Sequence, residues 1–290
     1  MSMHSWVAWA VAAVITACPA SVLAQAEPAS LEPFIEVDES VFDGDWFAVG
    51  FGIGVSGSYD GSDDYNINPI PVVAGELKGI GISPRSGGLA FQWADIDAGR
   101  VDISLGTVAR IRTNRASQIK DPVVAAAGEL DQAFEIGPTL GIGMSRVLTK
   151  YDRISVGLDL RWDVAGAHNG LVIDPGVSYR TPLSRGMVLG LSAGAQYVDD
   201  DYADYYYSVS PQQSLASGLP QFQADSGWHK AGVSAALGVD LDGNLENGGF
   251  LLGVAGGYTK MLGDAAETPY TSLRGNDDQF FGAAGVGFVF

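Results

Sequence analysis

The sequence has a single cysteine, Cys18, and three histidines. No disulfide can form within the chain, and metal sites built on several thiolates are excluded. Basic residues are scarce. Sixteen Lys and Arg stand against 34 Asp and Glu, a formal net charge of -18, and none of the sixteen precedes Lys78. A chain so acidic is a poor ligand for a nucleic-acid backbone, so no nucleic-acid partner is expected. It favours cations, basic ligands or divalent-bridged lipopolysaccharide instead. Long apolar runs are missing as well. The run from Trp6 to Ala17 is shorter than the roughly 20 residues a helix needs to cross a bilayer, and no later segment is continuously apolar. Yet 47% of the chain is hydrophobic and 39 residues are glycine. That combination fits strands with one apolar face and one crowded face of small residues.

Three regions follow from composition. Residues 1–24 read as an export signal: Met1 to Ala24 carries no Lys, Arg, Asp or Glu, and Val22-Leu23-Ala24 offers a small residue before Gln25. The alternative is lipidation of Cys18, because Ile15-Thr16-Ala17-Cys18 resembles a lipoprotein cleavage box. Cleavage after Ala24 would leave a chain without thiols. Residues 25–45 form an acidic lead-in (Glu27, Glu32, Glu36, Asp38, Glu39, Asp43, Asp45), expected in the periplasm as a solvated tail or a docking strip. Residues 46–290 read as one barrel.

The reason is alternation with a period of two. Phe47, Val49, Phe51, Ile53 and Val55 oppose Ala48, Gly50, Gly52, Gly54 and Ser56. Ile154, Val156, Leu158, Leu160, Trp162 and Val164 oppose a face bearing Arg153, Asp159, Arg161 and Asp163. Runs of about 9–11 residues match a tilted transmembrane strand, whereas soluble strands cluster nearer 5–6. In lipid every backbone group must be paired, so such a sheet must close. The pattern gives strands at 46–58, 66–77, 87–93, 100–111, 132–145, 153–164, 171–181, 187–198, 228–241, 249–260 and 279–290. The last places Phe280, Val286, Phe288 and Phe290 on one face, the expected closing strand of an outer-membrane barrel. An even number is required, so either Ile80–Pro84 or Tyr205–Ser210 supplies a twelfth, or one of the strands placed near 66–93 is wrong. The expectation is an all-β, single closed antiparallel transmembrane β-barrel of 12 strands, with 10 as the alternative. Trp46, Tyr59, Tyr65, Trp93, Tyr151, Tyr179, Tyr197, Tyr202, Trp228, Tyr258 and Phe290 fall near strand ends and would form interfacial girdles. Segments 112–131, 199–227 and 263–278 are long loops, the last two at least outside the cell.

Chemistry-bearing residues are few. The strand pattern turns Asp102, Arg110, Glu135, Arg153, Asp159, Arg161, Asp163, Asp174 and Arg180 inward, where interleaved signs imply ion-paired packing and at most a narrow pore. Asp199, Asp200, Asp201, Tyr202 and Asp204 form an acidic-aromatic loop, a candidate external cation cluster or a solvated loop. Clustered carboxylates at Asp60–Asp64 and Asp240–Glu246 invite a calcium reading. Both lack the glycine and glutamate positions of an EF-hand loop, and turn chemistry serves them as well. His168 and His229 sit at a turn and a strand start, and no spacing with Ser226 or Asp225 marks a catalytic set. No enzyme activity, cofactor or metal is expected.

Three stretches carry a resemblance. Tyr59-Asp60-Gly61-Ser62-Asp63-Asp64-Tyr65 leads into Asn68-Pro69-Ile70-Pro71; an acidic-aromatic loop runs from Asp199 through Tyr207-Ser208-Val209-Ser210-Pro211 to Ser217-Gly218-Leu219-Pro220; and Leu262-Gly263-Asp264-Ala265-Ala266-Glu267-Thr268-Pro269 precedes Arg274-Gly275. In order and spacing these resemble the MltA-interacting protein (MipA) and OmpV family of outer-membrane proteins. Ser208 stands where glycine is common in that family. The resemblance implies a non-enzymatic barrel, in some members a scaffold joining a murein hydrolase to a murein synthase, with adhesion or solute and antibiotic passage in others. It names no catalytic residue.

Overall fold

The computed structural model describes residues 40–290. The expected signal, Cys18 and the lead-in up to residue 39 lie outside the described residues. Twelve antiparallel strands close into a barrel: β1 (Trp46–Gly57), β2 (Tyr65–Leu77), β3 (Ile80–Arg85), β4 (Gly88–Asp97), β5 (Val101–Arg112), β6 (Ala133–Ser145), β7 (Arg153–Asp163), β8 (Leu171–Ser184), β9 (Met187–Val198), β10 (Gly227–Asp240), β11 (Gly249–Met261) and β12 (Asp278–Val289). The ring closes between β1 and β12, from Ala48 opposite Val289 to Val55 opposite Gly282. Phe47 and Phe290 exchange backbone hydrogen bonds of 2.8 and 3.0 Å below that ladder.

The twelfth strand is the Ile80 segment, which rules out ten. Tyr205–Ser210 is no strand: Tyr205 to Tyr207 end a helix, because Asp199 caps the amide of Tyr202 and starts one there. That helix, α2 (Asp200–Tyr207), is one of five short helices in the long loops, with α1 (Pro122–Ala126), α3 (Pro211–Ser217), α4 (Gly263–Glu267) and α5 (Pro269–Ser272). Alternation could not show them, since they pack on the barrel mouth and not on lipid.

Hydrocarbon sets the outer face. Phe51, Ile53, Val233, Phe250 and Phe280 are exposed there, as are Trp228 and Phe290 near the rims. Trp93 is exposed too, but at a bulge facing the middle of β5 and not in a girdle. Trp46, Tyr59 and Tyr202 are not girdle residues. All three are buried, the first two because they point inward at strand ends and the third because α2 folds over the mouth.

The inner face is built on glycine. Gly141, Gly157, Gly176, Gly194 and Gly232 stand directly opposite one another across five consecutive strands, β6 to β10. A glycine inside a strand weakens it, but this row leaves room for long side chains from the rows above and below. Gly143 shows the need. A Cβ there would collide with the guanidinium of Arg153, which lies over β6 to reach Asp102 on β5.

At the rim of short turns an apolar cluster joins Phe42, Trp46, Val72, Val188, Leu245 and Leu251. Val72 is on β2 and Val188 on β9, five places apart round the ring, so the cluster crosses the lumen. Short turns mark the periplasmic end of such barrels and long loops the outer end. The described end of the lead-in joins this plug: Val41 donates its amide to Glu246 O at 2.9 Å, and Phe42 packs edge-on against Trp46 with ring centroids 5.1 Å apart.

One seam is incomplete. β2 pairs with β1 from Tyr65 to Glu76, but with β3 only at Gly75, Glu76 and Leu77.

Candidate functional site, a charged lumen beneath a tyrosine lid

The inward positions of β3 and β5 to β8 bring charges together across the lumen. Glu135, fully buried on β6, accepts from Arg112 Nε at 2.5 Å and from Arg161 Nε at 2.9 Å. Arg161 also pairs with Asp174 and lies 3.6 Å from Asp159. Asp159 accepts from Arg85 Nε at 3.2 Å and from the Thr139 hydroxyl at 2.5 Å. Gln196 completes Asp174 at 3.0 Å. Arg85 sits on β3 and Asp159 on β7, four places round the ring, so this pair too spans the interior. Charges so deeply buried are tolerable only when paired and hydrogen-bonded.

The nine inward charges divide by what they touch. Glu135, Asp159, Arg161 and Asp174 form the network, and Arg153 holds Asp102 in a separate two-pronged pair nearer the periplasm. Asp163 makes a turn instead, accepting the amides of Ala165, His168 and Asn169 at 2.9, 2.8 and 3.1 Å. Arg110 and Arg180 are buried, and neither Nε nor Nη1 of either has a hydrogen-bond partner among the described residues. Sequence reasoning missed Arg85, Arg112 and Lys230. Arg112 was within reach, lying two residues beyond Arg110 on the same face. Arg85 was not, because its strand was itself in doubt.

Above the network lies a lid. Asp199 accepts from Leu171 N at 2.7 Å and Tyr202 N at 3.1 Å, which turns α2 inward. Tyr202 then stacks over the Arg112 guanidinium, 5.0 Å from ring centroid to Cζ. Tyr206 packs 4.7 Å from Tyr202, and Tyr207 sits 4.9 Å from the ring of His229. Burial pushes the Tyr202, Tyr206 and Tyr207 hydroxyls well above their ordinary range, so the lid stays uncharged. Asp200 and Asp204 pin the loop from outside, accepting from Ser226 N at 2.7 Å and Gln223 Nε2 at 2.9 Å, and Asp201 is exposed. Tyr202 is thus separated from its acidic neighbours, facing the lumen while they face out.

Other loops clamp the lid. Arg115 lies 3.8 Å over the Tyr270 ring and donates to Tyr206 O at 3.2 Å. Thr268 donates its hydroxyl to Tyr207 O at 2.6 Å. Lys230 pairs with Asp60, which ties the β1–β2 loop to the wall. Asp240 accepts the amides of Asp242 and Asn244, both at 3.0 Å, as a turn-forming aspartate does. Among the described residues no three His, Cys, Asp or Glu side chains converge to hold a metal ion. His168 Nε2 lies 3.3 Å from Glu135, and its Nδ1 accepts from Gly170 N at 3.0 Å. The His229 ring bonds only the Asp225 carbonyl, at 3.2 Å, and not its carboxylate.

One lid clamp is pH-sensitive. Asp121 caps α1 through Val123 N and Val124 N at 2.8 and 2.9 Å and accepts from Arg274 Nη2 at 2.6 Å. Burial alone would raise its carboxyl; the Arg274 bond and the two amides outweigh that and hold it below its ordinary value. A depressed folded pKa gives stability that is complete above the unfolded value, about 3.9, and is lost as pH falls through the folded one. Hydrogen exchange at 123–126 is therefore expected to lose protection in acid below about pH 4, and Asp121→Asn, which still caps but cannot titrate, should lack that step.

The family model described as MipA, MltA-interacting protein MipA, matches residues 49–290. The protein called outer membrane protein YiaT in Escherichia coli (strain K12) is 33% identical over 66 residues, covering 23% of this chain and 26% of that one. Its counterpart in Escherichia coli O157:H7 matches to the same extent. The chain thus spans about a quarter of the length of the curated relatives it matches. Among solved structures, the CymD monoaromatic hydrocarbon channel aligns with a TM-score of 0.39 and 9% identity, over 85% of this chain and 88% of that one. OmpT of Vibrio cholerae aligns with a TM-score of 0.36 and 5% identity, over 85% and 97%. Likenesses so distant carry no information about ligand or partner.

Proposed function

The chain belongs to the MltA-interacting protein MipA family, and from that premise we propose that it is a non-enzymatic scaffold holding a murein hydrolase and a murein synthase at the outer membrane. The observation that carries this reading is the filled lumen. An apolar plug crosses the periplasmic end and a tyrosine lid covers the outer end, with a paired charge network between them. Such a barrel offers its ends as working surfaces. The lid loops could serve an adhesin, and a narrow pore would need both closures to move.

The periplasmic rim has a surface suited to a partner. Between β6 and β7 the Asp152 carboxylate accepts the amides of Val147, Leu148 and Thr149 at 2.7, 2.8 and 3.0 Å and the Tyr179 hydroxyl at 2.9 Å. This rigid turn presents Leu148 at 77% exposure, flanked by Arg146 and Lys150. In an acidic protein it is an apolar and basic knob, preorganised for contact. Crosslinking and pulldown with murein hydrolases and synthases should enrich both over an unrelated barrel. Leu148→Glu should reduce the yield at least several-fold while leaving heat-modifiable gel mobility unchanged. Recovery no better than that of the unrelated barrel would sink the scaffold reading.

A further inference from the structure

The incomplete seam has a sequence cause. Pro69 and Pro71 on β2 and Pro84 on β3 have no N–H to give, and proline is confined to strand edges for that reason. The two β2 prolines are two residues apart, so their missing donors fall on one edge, the edge β1 leaves free. Prolines thus stand on both sides of the gap. An open strand edge in lipid is costly because its donors go unpaired; removing donors makes this edge tolerable.

β3 and β4 turn at Ser86-Gly87, short of the outer rim, where Ile111 donates its amide to Gly87 O at 2.9 Å. Above that turn the upper ends of β2 and β5 face each other across a cavity of about 300 Å³, at the small end of the range for ligand pockets. Its roof is the β5–β6 loop, fastened by Asn66 Nδ2 donating to Gln118 O at 3.0 Å. Pro69 and Ile111, which line it, are exposed on the lipid side. Its inner wall holds Arg110 and Arg112. Arg112 is engaged by Glu135. Arg110 is 4% exposed, and its Nε and Nη1 have no hydrogen-bond partner among the described residues. No carboxylate lines the cavity, although the chain carries 34 of them.

A buried guanidinium with unpartnered donors, lining a pocket free of acid whose outer residues face lipid, is suited to an anion delivered from the membrane. We propose that the β2–β3 gap is a lateral portal in which the head group of an anionic amphiphile docks on Arg110 while its hydrocarbon remains in the bilayer. This site is independent of the scaffold reading, and either can fail without the other.

The test uses the full chain in nanodiscs of zwitterionic lipid and a hexadecanoate carrying a diazirine near its carboxyl end, with labelled residues mapped by mass spectrometry. Labels are expected on Asn66–Val73 and beside Ile111. Dodecanoate should compete and acetate should not, and the matching diazirine alcohol should not label there. Arg110→Gln should cut labelling at least tenfold; Arg110→Lys should retain most of it, and Lys78→Gln, which removes an exposed charge at the other rim, should change nothing. Pro69→Trp, on the lipid side, blocks entry without touching the buried charge, so a poorly folding Arg110→Gln still leaves a decisive variant. Labelling indifferent to both Arg110→Gln and Pro69→Trp overturns the proposal. So does equal labelling by the alcohol, or competition by acetate as strong as by dodecanoate, which would mean a free anion and not a membrane-borne one.

Discussion

Glu135→Ala is expected to cost the barrel about 3–5 kcal/mol, the usual penalty for removing one partner of a buried ion pair. Glu135 is the meeting point of Arg112 and Arg161, with His168 at its other side. Without it Arg112 keeps only the Tyr202 and Tyr206 rings, and the positive end of the lumen faces Arg110 unopposed. Glu135→Gln keeps the shape and a hydrogen-bond acceptor but loses the charge, so it should fall between alanine and wild type. Asp102→Ala is the comparison, since Asp102 is more exposed than the fully buried Glu135 and solvent screens its loss. Urea unfolding in lipid vesicles measures all three. A Glu135→Ala cost no larger than that of Asp102→Ala would mean that the network does not hold the lumen together.

The second large effect belongs to the periplasmic plug. Trp46→Ala should cost about 3–5 kcal/mol, the range for emptying a buried aromatic site. Trp46 is 1% exposed and packs against Phe42 from the lead-in, so the cavity would also free that segment. Its indole Nε1 has no hydrogen-bond partner among the described residues, so the N–H contributes little. Trp46→Phe should therefore cost much less, about 1–2 kcal/mol for the lost ring volume. Protease cleavage near Val41 reports release of the lead-in, expected in Trp46→Ala and absent in Trp46→Phe.

The part of the fold that meets lipid was legible in the sequence. Hydrocarbon on one side forces every second residue to be apolar, so the long strands could be read directly. What meets protein could not be read so. Trp46, Tyr59 and Tyr202 stand at strand or loop ends, where a girdle and a plug demand the same aromatic residue. Alternation also gives the face of a residue but not its place round the ring, so the pairing of Arg85 with Asp159 was invisible. The helices of the lid bury tyrosines on loops, where neither period applies. Pro69 and Pro71 were visible from the start, but their meaning required knowing that β3 turns back before it reaches them.

A lumen closed from end to end leaves the barrel to work through its surfaces. Single-channel recording of the full chain in planar bilayers tests that closure most directly: the expected trace stays at baseline at neutral pH, and reproducible discrete conductance steps would contradict it.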